Sequence, residues 1–524
     1  MITLLDYGAG NVRSVVNSIG KLGHHVRMVS SPADILQADR LIFPGVGSFG
    51  SMMGILKERN YIAPLREYLA QNRPFLGICL GMQALLEGSE ESPGVSGLGF
   101  LKGAVKRFEV DLAVPHIGWN GILPAQKSIL FEGLEGSEKF YFVHSYYIDP
   151  SDEGAVLTRT DYGKRFVSAV QKGNVIGTQF HPEKSGDNGL KVLRNFIENT
   201  RESMPANIRT GETILAKRII ACLDVRSNDD GDLVVTKGDQ YDVREKGAVR
   251  NLGAPVTLAQ RYYEEGADEI TFLNITGFRD FPLKDMPMLE VLEKTSENVF
   301  VPLTIGGGIR DYTDENGHTY TALEVASAYF RSGADKVSIG SDAVNVALDY
   351  LKTGQKTGAS PIETISEVYG SQAVVISVDP RRVYVNAKDD VPHQVIETAY
   401  PGPNGEKFCW YECTVKGGRE GAPIDAITLV QVTEKLGAGE ILLNCIDRDG
   451  TNSGFDIELI SAVKNAVTIP VIASSGAGAV NHFSEVFEKT DVESALAAGI
   501  FHRREVPIEA VKAHLSGSVE IRQS

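Results

Sequence analysis

Over residues 1 to about 198, short β-branched apolar runs (Leu41 to Phe43, Phe75 to Ile78, Asn174 to Phe180) alternate with helix-period stretches, the last from Gly189 to Glu198. This alternation predicts an open α/β sheet. The periodicity lapses at NTRESMPANIRTGET (Asn199 to Thr213), which collects proline, glycine and polar residues as a connector does. Beyond it, apolar runs of strand length recur with helical segments between them, beginning near Arg218, Glu269, Val301, Lys336, Ala373, Glu440, Ile469 and Ala495. Eight such units in about 310 residues predict a (βα)8 barrel, with a doubly wound sheet as the alternative. The expected division is a first domain over 1–200, a linker over 201–213 and a barrel over 214–524.

The barrel region repeats itself. RIIACLDV (Arg218 to Val225) resembles AVVISVDP (Ala373 to Pro380), GADEITFLNIT resembles GAGEILLNCID, and VPLTIGGGIR resembles IPVIASSGAG. The partners stand at similar offsets, so a four-unit half-barrel is written twice.

Composition narrows the function classes. A chain of 524 residues is too long for one small binding module. Its 42% hydrophobic and 23% charged content is that of a globular protein, which excludes disorder and collagen-like repeats. A net charge of −16 argues against non-specific binding to nucleic acid or anionic membrane, so any phosphate site must be local. The Met1 to Gly10 segment lacks a basic n-region, and no apolar stretch approaches the ~18 residues of a membrane span; a cytoplasmic protein is expected. Five cysteines (Cys79, Cys222, Cys409, Cys413, Cys445) are too few and too irregular for a disulfide framework. The Cys409/Cys413 pair lacks a second ligand pair, so zinc is not expected; no other metal and no cofactor is expected either.

Gly77-Ile78-Cys79-Leu80-Gly81 follows an apolar run and opens a helix-like stretch from Met82 to Glu87. A nucleophile elbow needs this context, because glycines permit the strained turn that exposes the reactive atom. The nucleophile would be a thiolate, favoured by a helix N-terminus and an imidazolium. On this motif alone Cys79 reads either as that nucleophile or as a buried structural cysteine. His181-Pro182-Glu183, ending VIGTQFHPE, adds a base and its orienter, since residues two apart on a strand share a face about 6 to 7 Å apart. A lone histidine is more often a satisfied core residue; a His-x-Glu after a cysteine elbow is far more specific. Pro44-Gly45-Val46-Gly47 reads as an ordinary turn or as a source of oxyanion donors at Gly45 and Val46, with Leu80 N–H as the second donor.

Together these residues resemble the class I glutamine amidotransferases, the triad glutaminases, across essentially all of the first 198 residues. The resemblance implies that Cys79 attacks the glutamine side-chain amide, forms a glutamyl thioester and releases ammonia. His181 would be general base and acid, Glu183 its orienter, and Gln83 a glutamine contact.

Barrel active sites lie at the C-terminal ends of strands. Asp224 ends the first predicted strand and Asp379 the fifth, so they would face each other across one mouth. Paired carboxylates there suit acid and base work, provided their environments separate their pKa values; the duller reading has each cap a βα turn. Gly306-Gly307-Gly308 and Ser475-Gly476-Ala477-Gly478 end strands three and seven, where backbone N–H groups can meet an anion. Two such loops point to two phosphates on one ligand, or are simply tight turns. Lys237 reads as part of a substrate loop or as a surface lysine.

ACLDV, VVTKGDQYDVRE, PLTIGGGI, ADKVSIG, VISVDP, GEILLNCIDRDGTNSG and IASSGAG are similar to the cyclase barrel of the imidazole glycerol phosphate synthases. The order of the halves matches the fused glutaminase-cyclase form of that family, and the likeness covers nearly the whole chain. It implies that ammonia from glutamine reacts in the barrel with N'-(phosphoribulosylformimino)-aminoimidazole carboxamide ribonucleotide, which is bis-phosphorylated. The products would be imidazole glycerol phosphate and aminoimidazole carboxamide ribonucleotide (AICAR). It implies Asp224 and Asp379 as the acid/base pair and Lys237 as a substrate contact. Gly308 and Ser341 would serve one phosphate, and Asp449, Gly450, Gly476 and Gly499 the other. At or near strand starts, on the opposite face, stand Arg218, Glu269, Lys336 and Glu440. By pattern they read as bottom-face stability residues; the resemblance implies a neutral ring gating ammonia, with the glutaminase seated on that face. A monomer is expected, because one chain carries both activities. The competing reading is a glutaminase fused to a phosphoribosyl isomerase-type barrel.

Overall fold

The apolar runs of the first lobe become parallel strands in a computed structural model that describes residues 1–8, 10–198, 211–228, 233–236, 244–245, 248–249, 252–275, 283 and 286–523. Phe75–Cys79 lies between Arg40–Gly45 and Val175–Thr178, with Gly45 beside Cys79 and Thr178 beside Ile78. Ile2–Leu4 and Val26–Met28 extend the sheet beyond Arg40–Gly45, and antiparallel strands extend it on the other side. The central strands are buried along their length, as unbroken apolar runs predict. Three adjacent strand ends therefore deliver the candidate oxyanion loop, the cysteine and the histidine to one edge. The amphipathic Gly189 to Glu198 segment lies in the helix Gly186–Glu198.

The second lobe closes eight parallel strands: Arg218–Ser227, Glu269–Asn274, Leu303–Gly306, Lys336–Ile339, Val374–Val378, Glu440–Asn444, Val471–Ser474 and Ser494–Ala497. The last pairs with the first through Ser494 and Arg218, which completes the barrel. Each start lies within two residues of its predicted position.

Period-two alternation then sorts the lumen into levels, because Arg218, Ile220, Cys222 and Asp224 share one face of their strand. Ile220, Cys222, Val375, Leu442, Ile472 and Leu496 form an apolar collar. Below it lie Arg218, Glu269, Lys336 and Glu440, and above it Asp224, Asp379 and Asn444. Arg218 and Asp224 are separated by about 20 Å of strand.

After the fifth strand the chain builds an antiparallel sheet of Pro380–Val385, Ile396–Glu397, Phe408–Val415 and Glu420–Asp425, which the sequence reading did not anticipate. Cys409 and Cys413 are buried on its strand Phe408–Val415. Arg382 ties this sheet to the barrel through Asp456 at 2.7 Å.

The first lobe sits on the face where the barrel strands begin. Lys184 pairs with Asp335 at 2.7 Å, Asn11 Nδ2 donates to Asp335 Oδ1 at 2.9 Å, and Trp119 Nε1 donates to the carbonyl of Asp268 at 3.1 Å. Asp268 and Asp335 each immediately precede a barrel strand. One apolar cluster runs through both lobes, so the junction is packed like a core. Among the described residues, no helix is long and apolar enough to cross a membrane.

Candidate active site

Cys79 adopts φ 53° and ψ −106°, a conformation that costs a residue with a β-carbon about 1–3 kcal/mol. The flanking glycines make room for it. A β-carbon on Gly81 would stand 1.9 Å from Phe43 O, and one on Gly77 would stand 2.6 Å from Gly81 O. The following helix is the single turn Leu80–Gln83, shorter than the Met82 to Glu87 expectation.

His181 and Glu183 do not meet by strand alternation. The strand stops at Thr178, and the 3-10 turn Pro182–Lys184 folds the carboxylate back, so that Glu183 Oε1 lies 2.8 Å from His181 Nδ1. That contact fixes one proton on Nδ1, so His181 gains or loses its second proton at Nε2. Nε2 is buried without a hydrogen-bond partner among the described residues. Burial works against the imidazolium, yet Glu183 and Cys79 outweigh it and hold the His181 pKa well above the usual range. Cysteine and histidine thus couple electrostatically, although no well-aligned hydrogen bond joins them.

The predicted oxyanion donor at Val46 is engaged elsewhere. Val46 N–H donates to the Tyr7 hydroxyl at 3.1 Å, and that hydroxyl donates to Val46 O. Burial raises the Tyr7 pKa, so the phenol stays protonated. Gly45 pairs with Cys79 across the strands, and Leu80 opens the helix. Ser48 N–H donates to Val368 O of the barrel lobe at 3.3 Å, so the same loop touches both lobes. Gln83 is buried in the lining of the thiol pocket, and its amide donates to Tyr146 O and Gln179 Oε1, each at 3.1 Å. Residues of both lobes line that pocket, among them Cys79, His181 and Tyr141 from the first and Asp335, Tyr369 and Gln372 from the second. The elbow therefore opens onto the barrel.

Beyond Tyr141 lies a closed ring of charge. Arg218 bonds Glu269 at 2.8 Å and also Glu440, while Lys336 reaches both carboxylates at 2.6 Å. All four side chains are fully buried. Tyr141 lines the thiol pocket and feels the charges of Glu269, Arg218 and Glu440; its buried hydroxyl has no partner among the described residues. Burial raises the Glu440 pKa, but Arg218 and Lys336 outweigh this and leave it below the ordinary value. A depressed carboxylate stabilises the fold above its unfolded pKa, and the gain is lost as pH falls through the folded value. Glu440→Gln leaves two buried cations on one carboxylate and is expected to cost about 3–5 kcal/mol near neutral pH. The check is the urea midpoint, with the gap to the unsubstituted chain narrowing in acid.

At the other end, Asp224 shares a pocket with Asp449, Gly450, Gly476 and Gly499. Asp379 follows the fifth strand and does not line that pocket; Asn444 Nδ2 donates to its Oδ1 at 2.8 Å. Burial, aided by the Asp449 charge, raises the Asp379 pKa despite the Asn444 hydrogen bond. Gly308, at φ 79°, lies in the loop after strand three. Ser341 opens the helix after strand four, and its Oγ accepts from Lys416 N–H at 3.0 Å, which links that turn to the antiparallel sheet. Lys237 lies outside the described residues.

Residues 3–200 match the family model of class-I glutamine amidotransferases, and residues 218–507 match that of histidine biosynthesis proteins. The chain is 58% identical to the chloroplastic imidazole glycerol phosphate synthase hisHF of Arabidopsis thaliana, over 100% of this chain and 89% of that protein. It is 54% identical to the hisHF synthase of Emericella nidulans, over 98% of this chain and 97% of the relative. The Schizosaccharomyces pombe hisHF synthase is also 54% identical, over 98% of each. The chain belongs to the hisHF imidazole glycerol phosphate synthases.

In this hisHF chain, several groups at the two sites escaped the sequence reading. Gln179 precedes His181 by two residues in VIGTQFHPE and was readable as a neighbour of the base. Tyr7 gave no signal, because it reaches Val46 only through the parallel sheet. Asn444 gave no signal from the repeat either, because at the offset that pairs Glu269 with Glu440 its counterpart is Leu273.

Proposed function

We propose that Cys79, His181 and Glu183 hydrolyse glutamine, and that the ammonia passes through the Arg218/Glu269/Lys336/Glu440 ring to the barrel mouth. There it reacts with the bis-phosphorylated ribonucleotide to give imidazole glycerol phosphate and AICAR. The observation that carries this reading is the opening of the thiol pocket onto the strand-start face of the barrel.

His181 Nε2 takes the thiol proton, the thiolate attacks the amide carbon, and the proton returns to the leaving nitrogen. Leu80 N–H and Val46 N–H stabilise the oxyanion once Tyr7 releases the second of them. Gly45 allows the close approach, and Gln83 contacts the bound glutamine. Water then hydrolyses the thioester. Neutral ammonia suits the apolar collar above the ring, where an ammonium ion would lose its hydration. The ring must part for it to pass.

At the mouth, the raised pKa of Asp379 fits it to hold a proton as the acid, with Asp224 as its basic counterpart. Gly308 and Ser341 would meet one phosphate; Asp449, Gly450, Gly476 and Gly499 the other; and Lys237 the substrate between them. The same reading takes 1–200 as glutaminase, 201–213 as linker and 214–524 as cyclase, in a monomer. A cytoplasmic location belongs to it too, although the Arabidopsis relative is chloroplastic by name. The isomerase-type alternative is set aside by full-length identity to synthases.

The test is turnover of glutamine labelled with 15N in the side-chain amide, in the presence of excess unlabelled ammonium. Retention of label in the imidazole product is expected. Dilution of the label to the bulk ammonium ratio would show release to solvent and overturn the internal route.

A further inference from the structure

Two buried amides connect the nucleophile to the interior of the first lobe, and the reaction as described leaves one of them without a task. Gln179 is fully buried. Its Nε2 donates to Cys79 Sγ at 3.3 Å, and its Oε1 accepts from Gln83 Nε2 at 3.1 Å. The other proton of Gln83 Nε2 goes to Tyr146 O at 3.1 Å.

Both ends of this relay are acceptors, since neither a carbonyl oxygen nor a thiolate can donate. Each amide therefore has one orientation that satisfies it. Turning Gln179 over would set its oxygen against the sulfur and face two NH2 groups at each other. The carbonyl end is pinned in turn. His144 Nδ1 donates to Tyr146 O at 2.7 Å, and His144 Nε2 accepts from His116 Nδ1 at 3.2 Å. Burial lowers the pKa of both imidazoles and keeps them neutral, so their tautomers follow from the same acceptor.

We propose that Gln179 is a positioning residue for the nucleophile: its amide N–H, oriented by Gln83, holds Cys79 as the thiolate while His181 keeps the proton. The inference rests on the reading of Cys79 as the glutaminase nucleophile. A donor aimed at the charged form lowers a thiol pKa, and inside a protein it does so with little competition from water.

The other titratable groups around the sulfur are accounted for. Glu183 is bound to His181, and Lys184 to Asp335 of the barrel. Burial raises the pKa values of Tyr7, Tyr141 and Tyr146, and of Tyr369 across the pocket, so these phenols carry no charge near neutral pH. Glu91, also pushed up by burial, accepts from Phe49 N–H. None of these groups bonds Gln179, so substituting Gln179 leaves their bonds in place.

The experiment is the pH dependence of Cys79 alkylation by iodoacetamide in the full chain, followed by mass spectrometry of the Cys79 peptide. Gln179→Leu and Gln179→Glu are compared with the unsubstituted protein. The midpoint is expected to rise by about one pH unit or more, and further in Gln179→Glu, where an oxygen faces the sulfur. Glutamine kcat should fall about tenfold or more, KM should change little, and ammonium-dependent synthesis should persist. An unchanged midpoint in a variant that still uses ammonium overturns the proposal. Loss of ammonium-dependent synthesis in both variants assigns Gln179 to the fold and overturns it as well. Failure of the underlying reading looks different: complete alkylation of Cys79 in the unsubstituted chain would leave glutamine hydrolysis intact.

Discussion

Cys79→Ala is expected to lower glutamine-dependent synthesis by about a thousandfold or more while leaving ammonium-dependent synthesis close to that of the unsubstituted chain. The asymmetry follows from the architecture. The thiol lies in a pocket at the strand-start face, whereas the candidate cyclase groups stand at the opposite ends of the strands, with the charged ring and the apolar collar between them. Alanine removes the candidate nucleophile and touches nothing at the mouth. The substitution also replaces a residue at φ 53° with one of similar backbone preference, so the elbow's strain is unchanged and stability should hold. Ammonium salts supply the neutral nucleophile in proportion to free ammonia, and the rescued rate should therefore climb with pH. Parallel assays with glutamine and with ammonium chloride provide the check. Loss of both activities would contradict the division of labour between the lobes.

Asp379→Asn is expected to produce the complementary pattern: synthesis falls about a hundredfold or more with either nitrogen source, while glutamine hydrolysis continues. Burial and the Asp449 charge disfavour ionised Asp379, and Asn444 only partly offsets them. An acid whose folded pKa is raised carries a proton to higher pH than a free carboxyl. Ammonium-dependent synthesis should therefore decline as pH rises through that value, after allowance for free ammonia, and the variant should lack this limb. The sign for stability is opposite to that at Glu440. Ionising the buried Asp379 carboxyl is a cost to the folded state, so asparagine should not lower the unfolding midpoint. Steady-state rates across pH, set beside urea unfolding of the same variant, separate catalysis from folding. A large stability loss with hydrolysis also abolished would assign Asp379 to structure.

The barrel was legible because parallel strands covered on both faces are written as unbroken apolar runs, and eight such runs at regular spacing leave little choice of architecture. Each start could be placed within two residues for the same reason. The antiparallel sheet after the fifth strand was not legible. Its strands are only partly covered, as the exposed and intermediate positions of Pro380–Val385 and Glu420–Asp425 show, and their pattern reads like loop.

At the candidate sites, sequence determined the kinds of chemistry present: a cysteine between close-packed glycines, a histidine with a nearby carboxylate, two aspartates at equivalent places in a repeat, and four charges at strand starts. Tertiary structure decided their contacts. A 3-10 turn, not a strand, brings Glu183 onto His181. The Val46 amide is held by Tyr7, and the four strand-start charges join into one buried ring. The physical reason is range. Periodicity and turn chemistry act over a few residues and survive in the order of the chain, whereas hydrogen bonds between distant side chains exist only once the sheet and the barrel have closed around them.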